Sequence, residues 1–141
     1  MFIKPIKILS VEDDEFIRIF LKDIFWLHGA KDNYKLQLVD NLSDAEKFLV
    51  KPETKPDLIF LDLMMPERKN EGVNKEAGFH FLKKLKSNPQ TKDIKIVIFS
   101  AYRDKKIRDR VLKLGADRFL IKGECLPQGI IKVANEILGR K

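Results

Sequence analysis

DLIFLDLMMP, residues 57–66, contains the segment that decides the fold. Its continuous apolar run, Leu58–Leu61, is typical of a parallel strand that is buried on both faces. The run ends at one carboxylate, Asp62, and Pro66 then stops the strand because proline has no N–H to donate to a ladder. We therefore predict a central strand that places Asp62 at the carboxyl edge of a sheet.

Short apolar runs alternate with amphipathic segments on both sides of this strand, which is typical of a parallel sheet covered by helices. The predicted strands are Ile6–Val11, Leu36–Val39, Leu58–Leu61, Ile94–Phe99 and Arg118–Ile121. The predicted helices run from Asp14 to about Leu27 with an end near Gly29, from a cap at Asn41 or Ser43 to before Pro52, from Gly78 to Asn88, from Lys105 to Leu114, and from Pro127 to Leu138. The pattern therefore predicts a doubly wound α/β fold.

The composition indicates one globular domain over residues 1–141. The chain has 44% hydrophobic and 35% charged residues, enough to bury a core without disulfides or metals. Its single cysteine, Cys125, cannot form an internal disulfide, and no secretory signal is evident, so we expect a cytoplasmic protein. No apolar run approaches the ~18 residues that cross a bilayer, and we expect no membrane partner.

The net charge of +7 raises the possibility of nucleic-acid binding. The clearest basic segment, Arg103–Lys113, is interleaved with acids and is more typical of the solvated face of a helix. By this interpretation we do not expect nucleic acid as a partner. Salt-dependent DNA binding would favour the alternative.

Polar residues follow four of the predicted strands. Glu12 and Asp13 follow the first strand, Asp62 the third, Ser100 the fourth and Lys122 the fifth. Binding sites in open parallel sheets form beyond the carboxyl ends of the strands, so these side chains are expected to converge. Three neighbouring carboxylates repel one another unless a cation neutralises them, and an all-oxygen set suits Mg²⁺ better than zinc.

The chain resembles the receiver domains of two-component response regulators, the CheY-like family, over essentially its whole length. The matching motifs are SVEDD at 10–14, DLMMP at 62–66, the serine and alanine that end IVIFSA at 96–101, and GADRFLIK at 115–122. The resemblance implies a flavodoxin-like sheet of order 2-1-3-4-5 with five helices. Because the last predicted helix ends at the C-terminus, we expect a stand-alone receiver that signals by binding a partner or acts as a relay.

The resemblance further implies a role for each residue at the strand ends. Asp62 matches the phosphoacceptor, Glu12 and Asp13 the metal-binding pair, the backbone carbonyl of Met64 a further magnesium ligand, Ser100 the switch hydroxyl, Phe119 the switch aromatic and Lys122 the phosphate-binding lysine. The implied cofactor is Mg²⁺, and the implied partner is a sensor histidine kinase or a histidine phosphotransfer protein. Such a domain is not a conventional enzyme, since it promotes only its own phosphotransfer and dephosphorylation.

Three features depart from the family pattern. The loop ERKNEGVNKEA, at about 67–77, is roughly eight residues longer than usual, either as a partner or access element or as a tolerated surface insertion. Gly123 replaces the usual cis proline after the lysine. Because a non-proline cis bond costs ~3 kcal/mol, we predict a trans or more mobile link there, with Lys122 still able to reach the site. The first helix is unusually apolar, and Ile17 and Phe20 are candidate contacts for the phosphodonor, unless they belong to the core.

Other functions remain open at this stage. A haloacid-dehalogenase-type phosphatase would need a second aspartate two residues after Asp62, where this chain has Met64. The second alternative is a receiver-like scaffold that takes no phosphate, but the chain retains all four residues that phosphorylation would use, which argues against it: Asp13, Asp62, Ser100 and Lys122. The third alternative is the basic nucleic-acid-binding module described above.

Overall fold

The computed structural model describes residues 4–28 and 33–140. Within these ranges five parallel strands form one sheet in the order β2-β1-β3-β4-β5. The strands are β1 (Ile6–Val11), β2 (Tyr34–Val39), β3 (Leu58–Leu61), β4 (Lys95–Ser100) and β5 (Arg118–Ile121). This is the predicted doubly wound order, with β3 at the centre.

Helices connect the strands and cover both faces of the sheet. They are α1 (Glu15–His28), α2 (Leu42–Leu49), α3 (Ala77–Ser87), α4 (Lys105–Lys113) and α5 (Pro127–Ile137). One hydrophobic cluster joins the sheet to α1 and α5, and a second joins it to α2, α3 and α4. No helix in the described part of the chain is long and apolar enough to span a bilayer.

The burial of the central strand explains why its sequence is entirely apolar. All four residues of β3 are at most 1% exposed. Leu58 and Phe60 pack into the cluster beneath α1 and α5, whereas Ile59 and Leu61 pack into the other cluster. Complete burial of one such side chain stabilises the fold by about 1.5–3 kcal/mol, so β3 tolerates no polar residue on either face.

The bounds of β1, β3 and β5 agree with the predictions, and the remaining elements differ by only one or two residues. Asp14 caps α1 as predicted, since its Oδ1 accepts a hydrogen bond from the Phe16 N–H at 2.9 Å. Asn41 caps α2 in the same way, and Ser43 lies inside that helix. The predicted end of the first helix near Gly29 lies outside the described residues.

The long loop between β3 and α3 is held at its base by backbone hydrogen bonds. The Asn74 N–H donates to the Met65 carbonyl at 3.1 Å, which closes the loop as a hairpin. The Leu42 N–H donates to the Pro66 carbonyl at 3.1 Å, so the loop also satisfies the start of α2. The Asn74 Oδ1 accepts from the Ala77 N–H at 3.2 Å and thereby supports the start of α3.

Gly78, in the first turn of α3, lies directly against the chain that leaves β3. A Cβ atom at this position would lie 2.4 Å from the carbonyl oxygen of Leu63 and 2.7 Å from its Cα. Only glycine allows α3 to approach the backbone so closely. The residue next to Asp62 is therefore fixed in place by a helix on one side and by the sheet on the other.

Candidate functional site

Three acidic side chains meet at the carboxyl edge of the sheet. Glu12 and Asp13 leave β1 and Asp62 leaves β3, and one carboxylate oxygen of each lies within 4.8 Å of the others. The register of β1 and β3 brings these acids together: Val11 pairs with Leu61, so Glu12 and Asp62 leave the two strands side by side. Glu12 and Asp62 are buried, with 2% and 6% of their surfaces exposed, whereas Asp13 is exposed.

Lys122 directly follows β5, the last strand in the sheet order, and its side chain reaches the same acids. Its N–H donates to the Ser100 carbonyl at 2.7 Å, which places its backbone beside the end of β4. Its Nζ then lies 3.1 Å from Asp62 Oδ2 and 2.5 Å from Glu12 Oε1. The strands thus bring together residues that are more than a hundred positions apart in the sequence.

The cluster is electrostatically unbalanced. Burial, and then the charge of Asp62, raise the pKa of Glu12 to about 8. The same two causes raise the pKa of Asp13. Burial opposes the charged form of Lys122, but its close contact with Glu12 and the charge of Asp62 outweigh burial and raise its pKa. One ammonium cannot neutralise three carboxylates, so the site favours an additional cation.

The donor atoms fit a hard divalent metal. The acidic cluster offers only carboxylate oxygens, which Mg²⁺ and similar ions prefer, and it contains no histidine or cysteine. Within the described residues, Glu12 Oε1 is buried and accepts no hydrogen bond of good geometry, although it lies close to Lys122. A buried carboxylate oxygen without a well-formed hydrogen bond is a suitable metal ligand. The residues therefore could hold a metal, and the identity of the ion stays a prediction.

Ser100 is the last residue of β4, and Phe119 lies on the neighbouring strand β5. Ser100 is completely buried, and its Oγ accepts a hydrogen bond from the Tyr102 N–H at 3.1 Å. Phe119 is half-buried and packs against the cluster beneath α2, α3 and α4. A serine hydroxyl that accepts one hydrogen bond still has its own proton to donate. The switch roles of Ser100 and Phe119 stay predictions.

The family model of the response regulator receiver domain matches residues 8–134. The chain belongs to this family. It is 27% identical to the chemotaxis protein CheY of Thermotoga maritima, over 93% of this chain and 96% of that protein. It is also 27% identical to the 3',5'-cyclic-nucleotide phosphodiesterase regA of Dictyostelium discoideum, but the match spans only 15% of that protein.

Solved receivers have the same fold. The phosphorylated cyanobacterial phytochrome response regulator RcpA superposes with a TM-score of 0.75 at 24% identity, covering 94% of this chain and 93% of that one. The Mn(2+)-bound form of response regulator Rcp1 gives a TM-score of 0.73 at 23% identity, covering 94% of this chain and 92% of that one. These structures share the fold, and the family match makes the chain a receiver domain of two-component signalling.

Two further contacts near the site could not be recognised from any sequence motif. The Arg18 guanidinium donates to the Glu12 carbonyl at 2.9 Å and so ties the acidic loop to α1. Arg103 forms an ion pair with Glu124, which joins the loop after β4 to the loop after β5. These pairs are six and twenty-one residues apart, and no periodicity of a helix or strand indicates them.

The structure also places the remaining residues that the sequence analysis singled out. Met64 is half-buried, and its N–H donates to Asp62 Oδ1 at 3.3 Å, whereas the role of its carbonyl stays a prediction. The bond between Lys122 and Gly123 is trans, which confirms the prediction, and Gly123 has a φ of 84°. Ile17 is half-buried and packs against the core, while Phe20 is partly exposed.

The basic segment of this receiver is partly engaged within the fold. Arg110 forms a bidentate ion pair with Glu76 at 3.0 and 3.1 Å, and its guanidinium lies 3.7 Å from the ring centroid of Phe79. These contacts direct Arg110 toward α3. Arg110 is therefore engaged within the fold, and nucleic-acid binding by the rest of the segment stays an untested alternative.

Proposed function

We propose that this protein is a phosphorylation-controlled switch whose phosphoacceptor is Asp62, with Mg²⁺ as cofactor. The proposed donor is a phosphohistidine on a sensor kinase or a phosphotransfer protein. The observation that carries the proposal is the contact at 3.1 Å between the Lys122 ammonium and a buried aspartate at the edge of an acidic cluster. A mere helix cap or surface aspartate would have no such environment.

The proposed reaction is a single phosphoryl transfer. A carboxylate oxygen of Asp62 attacks phosphorus, the new O–P bond forms as the N–P bond of the donor breaks, and the electron pair of that bond stays on the imidazole. Lys122 balances charge on the acceptor and on the phosphoryl oxygens. The Met64 N–H holds the other carboxylate oxygen, which fixes the orientation of the nucleophile.

Glu12, Asp13 and Asp62 are the proposed metal ligands, with the Met64 carbonyl as a further one. A bound divalent ion would cancel the repulsion between these acids and the incoming phosphoryl group. The Mn(2+)-bound form of Rcp1 and the phosphorylated form of RcpA, both of the same fold, support this part of the proposal. The only reactions we propose are the gain and loss of phosphate on this domain itself.

The switch is proposed to use Ser100 and Phe119. A phosphoryl oxygen on Asp62 would accept the Ser100 hydroxyl proton, and Phe119 would fill the space that the loop vacates. One hydrogen bond to a charged group contributes about 1.5–3 kcal/mol, whereas a shift from 1:99 to 99:1 needs about 5.5 kcal/mol. We therefore expect the phosphorylated protein to populate two conformations until a partner binds. A single NMR conformation of the free phosphorylated form would contradict this.

The decisive experiment is direct phosphorylation. The protein is incubated with Mg²⁺ and acetyl phosphate, and the intact mass is measured before and after hydroxylamine, which cleaves acyl phosphates. We expect a hydroxylamine-labile gain of one phosphate that Asp62→Asn abolishes. Asp57→Asn is the matched control, because Asp57 flanks the opposite end of β3. No gain in the wild type would leave the scaffold function as the better explanation.

The setting of this switch is also a proposal. The phosphohistidine donor is made from ATP, so we place the protein in the cytoplasm, where a half-buried free thiol such as that of Cys125 stays reduced. Its output is proposed to be the binding of a downstream protein. The kinase and the target are to be found by phosphotransfer profiling against purified kinases and by affinity for the phosphorylated form.

A further inference from the structure

Helix α1 has an apolar face that points away from the core. Its residues are Phe16, Ile19, Phe20, Trp26 and Leu27, with 82%, 49%, 36%, 75% and 66% of their surfaces exposed. At about 100° per residue they all fall within roughly 120° of the helix circumference and therefore share one side of the helix, which we call the outer face of α1. Leu21, Ile24 and Phe25 lie on the opposite side and are buried.

The outer face of α1 is large for a surface that stays in water. A covered aromatic side chain buries 150–250 Å², and scaling such areas by the exposed fractions gives about 600 Å² for the five residues together. The largest apolar patch of a typical monomer is about 300–600 Å². With a polar rim, the face approaches the ~800 Å² that each partner of a stable complex contributes.

We propose that this face binds the same face of a second copy, with the two α1 helices antiparallel. A two-fold axis at the middle of the face, between Leu21 and Lys22, places Phe16 of one copy against Leu27 of the partner subunit. Large apolar residues thus meet at both ends. Asp23 lies in the middle of the face, ~4.5 Å along the helix axis from the partner subunit's Asp23 and ~3 Å from the partner subunit's Lys22. Lys22, at the margin of the face, thus offsets the repulsion between the two aspartates.

A second copy fits the face better than the phosphodonor does. Phosphotransfer encounters are transient, and transient interfaces are about as polar as the rest of the surface, whereas homodimer interfaces are more apolar. A donor must also reach Asp62, beside the start of α1. Trp26 lies ~15 Å farther along the helix than Phe16, toward the opposite edge of the sheet, where a donor docked at the site leaves it uncovered.

The test is the oligomeric state of the full chain as a function of concentration. Sedimentation equilibrium near physiological salt should give a monomer–dimer equilibrium for the wild type. The double variant Phe16→Ser/Trp26→Ser should dissociate at least ~30-fold more readily, as for truncated interface hot spots. Val50→Ser is the matched control, because Val50 is 76% exposed and lies outside the face, and it should associate like the wild type.

Trp26 supplies an independent readout, because it is the one tryptophan in the chain. Its emission should shift to shorter wavelength as the protein concentration rises, since the indole leaves water. Asp23→Lys should weaken association, and Lys22→Asp in the same chain should restore it if the helices are antiparallel. A wild type that stays monomeric into the millimolar range, or a dimer that survives Phe16→Ser/Trp26→Ser, would overturn the proposal. A monomer would leave the face to another occupant, such as the phosphodonor.

Association through α1 does not depend on phosphorylation. Asp62→Asn should therefore dimerise like the wild type even though it takes no phosphate. Failure of the phosphorylation experiment with intact dimerisation would reject only the proposed function, and the reverse result would reject only the dimer.

Discussion

Replacing Gly78 by alanine tests the link between α3 and the phosphorylation site. The new Cβ would lie 2.4 Å from the Leu63 carbonyl oxygen, 2.7 Å from Leu63 Cα and 2.9 Å from its carbonyl carbon. All three neighbours are backbone atoms, so no side chain can rotate away. Either α3 or the segment after Asp62 has to move by nearly an ångström.

The expected cost follows from two opposing effects. Overpacking of a well-packed core costs about 1–3 kcal/mol, and rigid backbone neighbours place this site toward the upper end. Alanine is favoured over glycine inside a helix by about 0.5–1 kcal/mol. The free energy of unfolding of Gly78→Ala should therefore fall by about 1–2 kcal/mol.

Gly129→Ala is the matched control. Gly129 also lies near the start of a helix, α5, but an added Cβ there meets no atom within 4 Å. This variant should gain about 0.5–1 kcal/mol, so urea unfolding should separate the two alanine variants by about 1.5–3 kcal/mol. Gly78→Ala should also slow phosphorylation by acetyl phosphate, because Leu63 adjoins Asp62. Equal stabilities for the two variants would refute the close approach of α3.

Three further outcomes are expected. Gly123→Ala should destabilise the protein by about 1 kcal/mol in urea unfolding, because φ is 84° there although the surrounding space is open, and Gly72→Ala, which has open space and no such φ, should not. Mg²⁺ affinity, measured by calorimetry, should rise up to about tenfold per pH unit as the pH approaches 8 and should then level off. The reason is that the pKa of Glu12 is raised to about 8 and its proton must leave before a metal binds. Glu12→Gln should flatten this pH dependence. Asn74→Ala should cost about 1 kcal/mol of unfolding free energy because the support of α3 is lost, and the exposed Lys75→Ala should change little.

The sheet and the site centre could be predicted because each depends on a strong local signal. Leu58–Leu61 is apolar at every position, and only a strand buried on both faces needs that pattern. Once the strands are assigned, their parallel order alone brings Asp62 and Lys122 to one edge, where the structure finds them in contact.

Contacts that depend on helix phase or on distant backbone groups could not be predicted. The sequence indicated that α1 is too apolar for one buried face, but it did not fix the rotation of the helix. Ile17 turns toward the core, while its neighbour Phe16 is almost fully exposed. The path of the loop at 67–77 depends on carbonyls that accept from α2, and nothing in the residue types indicates such bonds.

The division of that loop between a constrained base and an open tip has a practical use. The Pro66 carbonyl accepts from the first N–H of α2, so shortening the loop at its base would disturb a helix as well as a connection. At the tip, an added Cβ on Gly72 meets no atom within 4 Å. A dye attached to Gly72→Cys, in a chain that also carries Cys125→Ser, would sit on the open part of the loop that follows β3 and Asp62. The loop is therefore a natural attachment point for a fluorescent sensor of this signalling protein.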